Sequence, residues 1–350
     1  MSGGARLALG VLALSALGGG TAAVVFYQRA QAWYLAPLPA RAAAEVIEIG
    51  SGEPFAAVAA RLGAAGVIEQ PRLWTLIARA SGKAARIRAG EYALAAGTSP
   101  ATLLGQLVEG KVLLHPITLV EGWTAAEALA AIAASPFVKA TLPAPAPTAL
   151  MDRLGAHGQS AEGQLFPDTY LVAKGSSDFE VARLAYERMQ VELASAWAER
   201  TPGLPLASPY EGLVLASIVE KESANPAERP RIAAVFVNRL RRGMKLQTDP
   251  TVIYGLGERY NGRLHKRDLQ SDTPWNTYTR AGLPPTPIAL PGREALRAAL
   301  APLPGDDLYF VATGASDGRH EFSATLPAHN QAVARYLARL RGTSTRRHGR

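Results

Sequence analysis

Glu220 and Glu222 flank Lys221 at the end of an apolar run, LVLASIVEKE at residues 213–222. Read as a helix, the run is apolar on every side, and a helix of that kind is buried. It therefore carries a carboxyl group from the core to its edge. A carboxyl held against apolar walls resists ionisation, and a neutral carboxylic acid near pH 7 can protonate a leaving oxygen. Breaking a glycosidic bond needs that step. The competing reading of the run alone is a solvated Glu-Lys-Glu helix end. Helical periodicity does not choose between Glu220 and Glu222.

Residues 245–279 follow as a long polar segment, with Asn, Gln, Asp, Thr and Tyr recurring among Gly and Pro. Sugar hydroxyls need fixed donors and acceptors, and sugar faces stack on aromatic rings, so such a segment suits a glycan. Taken singly, Thr-Asp-Pro and Tyr-Asn-Gly are ordinary turn formers.

The elements that must position these groups fall into two parts. VIEI at residues 46–49 reads as a strand, residues 54–63 and 71–81 as helices, GEYAL as a second strand and residues 103–108 as a further helical piece. From residue 113, LLHPITLVEG reads as a strand, followed by helices over 124–134, 180–199, 213–222, 229–241, 292–300 and 328–340, with a strand at 308–313. Ile232, Val235, Phe236 and Leu240 recur at helical spacing. The stretch 136–148, with its PAPAP, reads as a loop. The expected fold class is α+β with a mainly helical active-site domain.

With 350 residues and 48% hydrophobic content the chain has enough material for about two domains and a real core. It holds no cysteine, which excludes disulfides, thiol catalysis and Cys-based zinc sites. Its six His show no HExxH or close cluster, so neither a metal nor another cofactor is expected. The net charge is +8, yet no nucleic-acid motif accompanies it, so no nucleic-acid partner is expected.

Residues 7–26 carry no charge over a length that crosses a bilayer core of about 30 Å. Arg6 precedes them, and Tyr27, Trp33 and Tyr34 follow as an interfacial belt would. The expectation is an uncleaved single-pass anchor; a cleaved signal peptide is the rival. The organisation expected is residues 1–6 cytoplasmic, 7–26 spanning, 27–44 a tether, 45–112 a small module, 113–341 the catalytic domain and 342–350 a disordered basic tail.

ASIVEKE, VFVNRL, LQTDPTVIYGLG, RYNG, NTYT, GLPPTPIALPG, LYFVATG and HNQAV, preceded by EGW at 121–123 and EGQLFPDTY at 162–170, occur in an order that resembles the endolytic murein transglycosylases of the YceG-like family. The resemblance covers about residues 45–340. It implies a LysM-like module at 45–112 and a lytic-transglycosylase domain after it. It also implies an inner-membrane location with the catalytic domain facing the periplasm, and peptidoglycan strands as substrate. Synthases of the elongation or division machinery would be possible partners. By family position the catalytic residue falls on Glu220, with Gln247, Asp249, Asn276, Tyr278, Glu162 and Asn330 contacting the glycan. Glu162 has an alternative as a structural carboxylate capping the PDTY turn. Thr286 stands where the family usually has Gly, and Trp275 where it has a smaller or phenolic residue. A Gly-to-Thr change matters if that position needs a positive φ.

The implied reaction uses one glutamic acid. It protonates the oxygen between N-acetylmuramic acid and N-acetylglucosamine, then as a carboxylate takes the proton of the muramoyl C6 hydroxyl, which closes on C1 as a 1,6-anhydro sugar. Two other readings remain: a water-using muramidase with Asp249 or Glu222 as second carboxylate, and a non-catalytic wall-binding scaffold.

Overall fold

The structure, a computed structural model, describes residues 21, 23–39, 45–222, 225–315 and 317–347. The expected anchor at 7–26 lies mostly outside these residues. Among the described residues no helix is long and apolar enough to cross a membrane. The fold mixes helices with short strands, as expected of α+β. The strands form two-stranded sheets: β1 (Val46–Ile49) with β2 (Gly90–Ala93), β3 (Leu114–Thr118) with β5 (Thr169–Ala173), β4 (Val138–Lys139) with β6 (Ser176–Ser177), and β7 (Tyr309–Ala312) with β8 (His320–Ser323).

The chain divides into two compact units, the first reaching His115 and taking in Ala173–Gly175, the second holding Pro116–Val172 and the residues from Ser176 onward. In the first unit β1 and β2 pair antiparallel, Val46 opposite Ala93 and Ile49 opposite Gly90. Helices Phe55–Ala64, Pro71–Ala80 and Pro100–Glu109 pack on them. Prolines open the last two, where a missing N–H costs nothing. The Ser99 hydroxyl accepts from the Thr102 amide at 3.1 Å and caps the third. Trp74 is fully buried, 4.7 Å from the Phe55 ring, and its Nε1 donates to the Pro100 carbonyl at 3.0 Å.

Residues 27–39 of the tether expected at 27–44 are not free chain, and residues 40–44 lie outside the described residues. Residues 23–35 are helical, Trp33, Tyr34 and Leu38 pack against the core of the first unit, and the Leu38 amide donates to the Thr98 carbonyl at 2.7 Å. Of the aromatics expected at a membrane interface, Trp33 and Tyr34 are thus half-buried on protein, while Tyr27 is exposed. A helix advances about 1.5 Å per residue and an extended chain about 3.3 Å, so the spacer is shorter than its residue count implies.

In the second unit helix Pro209–Glu222 is the centre. Every residue from Gly212 to Val219 is buried, as its unbroken apolar run dictates. Helices Arg229–Arg241 and Arg293–Leu300 flank it. A Cβ on Gly212 would stand 2.9 Å from the Leu300 side chain, so glycine lets the helices approach. Ser217 donates to the Val214 carbonyl and accepts from the Ile288 amide at 3.0 Å, tying the proline-rich segment to the helix. Helix Asp178–Ala198 starts with a capping box of Ser177 and Glu180.

Three expectations need correction. The loop at 136–148 gives way to helix Ala146–Arg153, which buries Leu150 and Met151. Within the polar segment, helices Asp249–Leu256 and Lys266–Gln270 form. The closing helix runs Leu326–Arg347, so residues 342–347 continue it where a tail was expected, and residues 348–350 lie outside the described residues.

Candidate active site

Two residues along a helix are about 200° apart around its axis, so Glu220 and Glu222 leave helix Pro209–Glu222 on different sides and meet different surroundings. Glu220 is spent on the protein. Its Oε1 accepts from Arg229 at 2.7 Å and its Oε2 from the Gly292 amide at 3.0 Å. Both ion-pair partners are nearly withdrawn from water, at 5% and 9% side-chain exposure. Arg229 also reaches Glu121 at 3.7 Å, and Lys221 donates to the Gly122 carbonyl at 3.1 Å. The EGW segment therefore closes over this side. A Cβ on Gly292 would lie 1.9 Å from the Glu121 carboxyl, so a side chain there would push Glu121 aside. Burial pushes the Glu220 carboxyl up, against the Gly292 amide and the Arg229 guanidinium, which favour its charge.

Glu222 faces the LQTDP and NTYT segments. Thr248 donates its hydroxyl to Glu222 Oε1 in a short hydrogen bond. Among the described residues its other oxygen has no hydrogen-bond partner and no salt bridge reaches it. Burial pushes this carboxyl up, Asp249 nearby pushes it further, and Thr248, His320 and Arg239 oppose. Buried Thr248 points inward while Gln247 and Asp249 on either side are exposed. Tyr278 donates to Asp249 at 2.6 Å. The two segments interlock through Gln247 N to Thr277 O at 3.2 Å, Thr248 N to Thr277 Oγ1 at 3.1 Å, and Thr251 Oγ1 with Thr277 Oγ1 at 2.9 Å. Gln247 has φ +50°, the one non-glycine residue in the left-handed region among the described residues. Such strain in an exposed polar residue is characteristic of sites that bind or react.

Of the expected glycan contacts, Gln247, Asp249 and Tyr278 therefore gather around Glu222. Asn276 does not join them. It is fully buried, its amide donates to the Leu269 and Ser271 carbonyls at 3.1 and 2.7 Å, and its oxygen accepts from the Tyr278 amide at 2.8 Å. It shapes the loop that presents Tyr278 and has no surface left for a sugar. Asn330 is exposed on the closing helix and takes no part in this network.

Glu162 is also a buried group. It accepts from the Ala125 amide, at the N-terminus of helix Ala125–Ala133, at 2.9 Å, and from the Tyr254 hydroxyl at 3.1 Å. It caps that helix rather than the PDTY turn. Burial outweighs these donors and the Gly163 amide, and brings its pKa to about 7. Above the ordinary carboxylate range the folded state holds this proton more tightly than the unfolded chain does, so the group's contribution is full below about pH 4.5 and is lost as pH rises through about 7. Glu162→Gln is expected to flatten the fall in stability over that interval, read from urea unfolding at a series of pH values; an unchanged slope would place the titration elsewhere.

Thr286 does not occupy the left-handed region, so its replacement of glycine carries no backbone strain. Its hydroxyl accepts from Trp275 Nε1 at 2.9 Å, so the two departures from the family pattern bond to each other. Trp275 in turn stands edge-on to Tyr254, 5.5 Å between centroids, behind Glu162.

Thr248, Arg239 and His320 were not among the expected site residues. Thr248 sits between two residues that were, and its inward alternation is the signal. Arg239 is buried, donating to the Leu308 and Leu246 carbonyls at 2.7 Å each.

Residues 47–335 match the YceG-like family. The chain belongs to that family. A relative from Bacillus subtilis (strain 168), named endolytic murein transglycosylase, is 39% identical over 180 residues, which is 51% of this chain and 48% of that one. One of the same name from Streptococcus pneumoniae serotype 2 is 30% identical over 181 residues, 50% of this chain and 32% of that one. The chain thus spans about half or less of these relatives' length. The crystal structure of a yceG-like protein from Listeria monocytogenes aligns with a TM-score of 0.51 at 30% identity, covering 83% of this chain and 99% of that one.

Proposed function

We propose that this YceG-like chain is a peptidoglycan lytic transglycosylase whose acid and base is Glu222. The observation that carries the reading is the contrast between the two carboxyls. A general acid needs a proton near working pH and an oxygen open to substrate. Glu220, which the family resemblance pointed to, has an arginine on one oxygen and a backbone amide on the other. Among the described residues Glu222 has no counter-ion within salt-bridge distance and one hydroxyl partner; it also has a carboxylate neighbour that resists its ionisation and exposed polar side chains beside it. The names of the relatives supply the substrate class.

Glu222 would protonate the glycosidic oxygen between N-acetylmuramic acid and N-acetylglucosamine, so that the C1–O bond breaks and the N-acetylglucosamine hydroxyl leaves. The resulting carboxylate would take the C6 hydroxyl proton as O6 bonds to C1. Atoms balance without water, and the acid is regenerated. Gln247, Asp249 and Tyr278 would orient the muramoyl ring, with Asp249 offsetting positive charge at C1. The module at 45–112 would serve as a LysM-like glycan grip, and residues 7–26 would anchor the chain in the inner membrane with the catalytic domain in the periplasm. So placed, the enzyme would cut nascent strands and end their elongation alongside the synthases.

A water-using muramidase is the second reading, because Asp249 faces the same space as Glu222 and can serve as second carboxylate. Mass analysis of products separates the two. The full chain acting on uncrosslinked glycan is expected to release fragments of several disaccharides ending in anhydro sugars, lighter by one water than reducing ends. Reducing ends would establish the muramidase. Disaccharides alone from the earliest time points would mean attack from chain ends. No cleavage at all would leave a wall-binding scaffold.

A further inference from the structure

We propose that the hydrogen-bonded pair His320–Glu228 is a positioning clamp for Glu222, fixing to β8 the turn that leaves the helix carrying that carboxyl. The proposal rests on the reading of Glu222 as the acid. Glu222 is the last described residue of helix Pro209–Glu222, and Glu228 closes the short turn Pro226–Glu228 that leads into helix Arg229–Arg241. Both Glu228 oxygens accept from the His320 backbone amide, each at 3.1 Å, and Oε2 lies 2.8 Å from Nδ1. An ionised carboxylate only accepts, so the imidazole proton is on Nδ1. The side chains are 14% and 16% exposed, which strengthens a charge-assisted bond. The ring stands edge-on to Phe310 at 5.4 Å and near Phe322 at 6.3 Å.

The next residue, Arg229, reaches back to Glu220 in the last turn of the helix. Consecutive residues 228 and 229 therefore tie the turn in two directions, to β8 and to the helix it has just left. Residues 307–308 add to the bolt: Arg231 pairs with Asp307 at 2.7 Å and Arg239 holds the Leu308 carbonyl. The groups facing Glu222 are Thr248 and Asp249, Arg239 from helix Arg229–Arg241 and His320 from β8, with Tyr278 bonded to Asp249. His320 and Arg239 favour its charged form and Asp249 opposes it.

The test separates the donor from the ring. His320→Phe keeps an aromatic ring beside Phe310 and removes the donor; His320→Asn loses the ring and keeps an amide donor near the Nδ1 position. On purified glycan strands, His320→Phe in the full chain is expected to lower kcat about 10- to 100-fold, the scale of a misplaced reacting group, with KM within about twofold. Its alkaline limb, where Glu222 loses its proton, should move to higher pH, because a group favouring the charged form is gone. His320→Asn should recover most of kcat. Glu228→Gln, which weakens the same bond from the other side, should lower kcat about tenfold. A wild-type His320→Phe beside an inactive Glu222→Gln overturns the clamp and leaves Glu222 in place. So does a His320→Asn worse than His320→Phe, since ring packing would then be the whole role. An active Glu222→Gln overturns both.

Discussion

Replacing Glu222 by Gln is expected to abolish glycan cleavage in a chain that remains folded. The amide has nearly the same shape and can still accept from Thr248, but it has no acidic proton to give to the leaving oxygen and no carboxylate to take one back. Loss of both roles should cost at least about 100-fold in kcat, the lower end for removing a general acid. The measurement is release of soluble fragments from sacculi, with circular dichroism as the check on folding. Glu220→Gln is the contrast. It keeps an acceptor for Arg229 and leaves Glu222 untouched, so cleavage should persist. An inactive, folded Glu220→Gln beside an active Glu222→Gln would return the reaction to the position the family pattern indicated.

Arg229→Met is expected to be the most destabilising single change at the site. The guanidinium is the sole cation within salt-bridge distance of the Glu220 carboxylate among the described residues. Removing it leaves a buried charge with only the Gly292 amide, and breaking a buried pair from one side costs about 3–5 kcal/mol. Urea unfolding should show this at neutral pH. The deficit should shrink on acidification, because without the guanidinium the folded carboxyl binds its proton more tightly than the unfolded chain, whose carboxylates titrate near about pH 4.3. Combining it with Glu220→Gln should return part of the lost stability, since no charge is then stranded. A deficit independent of pH would mean that the cost is packing and not charge.

Apolar periodicity made the helices legible. The run at 213–219 has no polar face, so burial follows, and residues 229–241 repeat their apolar positions at helical spacing. The strands VIEI and GEYA were readable from their bounding turns. What could not be read was how differently the two sides of the central helix are surrounded. Glu220 and Glu222 differ only in angle about the axis, and the groups that tell them apart, Arg229, Gly292 and Thr248, are 9, 72 and 26 residues away. Asn276 misled for a similar reason. A polar residue within a polar segment looks like a ligand contact, whereas burial turned it into the staple for three backbone carbonyls. Trp33 and Tyr34 have the composition of a membrane belt, and a nearby apolar core claims them instead.

The distance along the chain between Glu222 and the groups that hold it has a consequence for timing. In an unfolded chain its side chain is an ordinary solvated carboxylate, ionised at neutral pH and unable to donate a proton. Its altered acidity needs the core beneath it, and Thr248 and Asp249 closed against it over a loop of more than twenty residues. If Glu222 is the acid, the polypeptide is thus chemically silent toward glycan while it is being made. Competence would then arrive only when the last long-range contacts close, so the proposed bond-breaking activity would need no separate inhibitor to keep it dormant until the chain has folded.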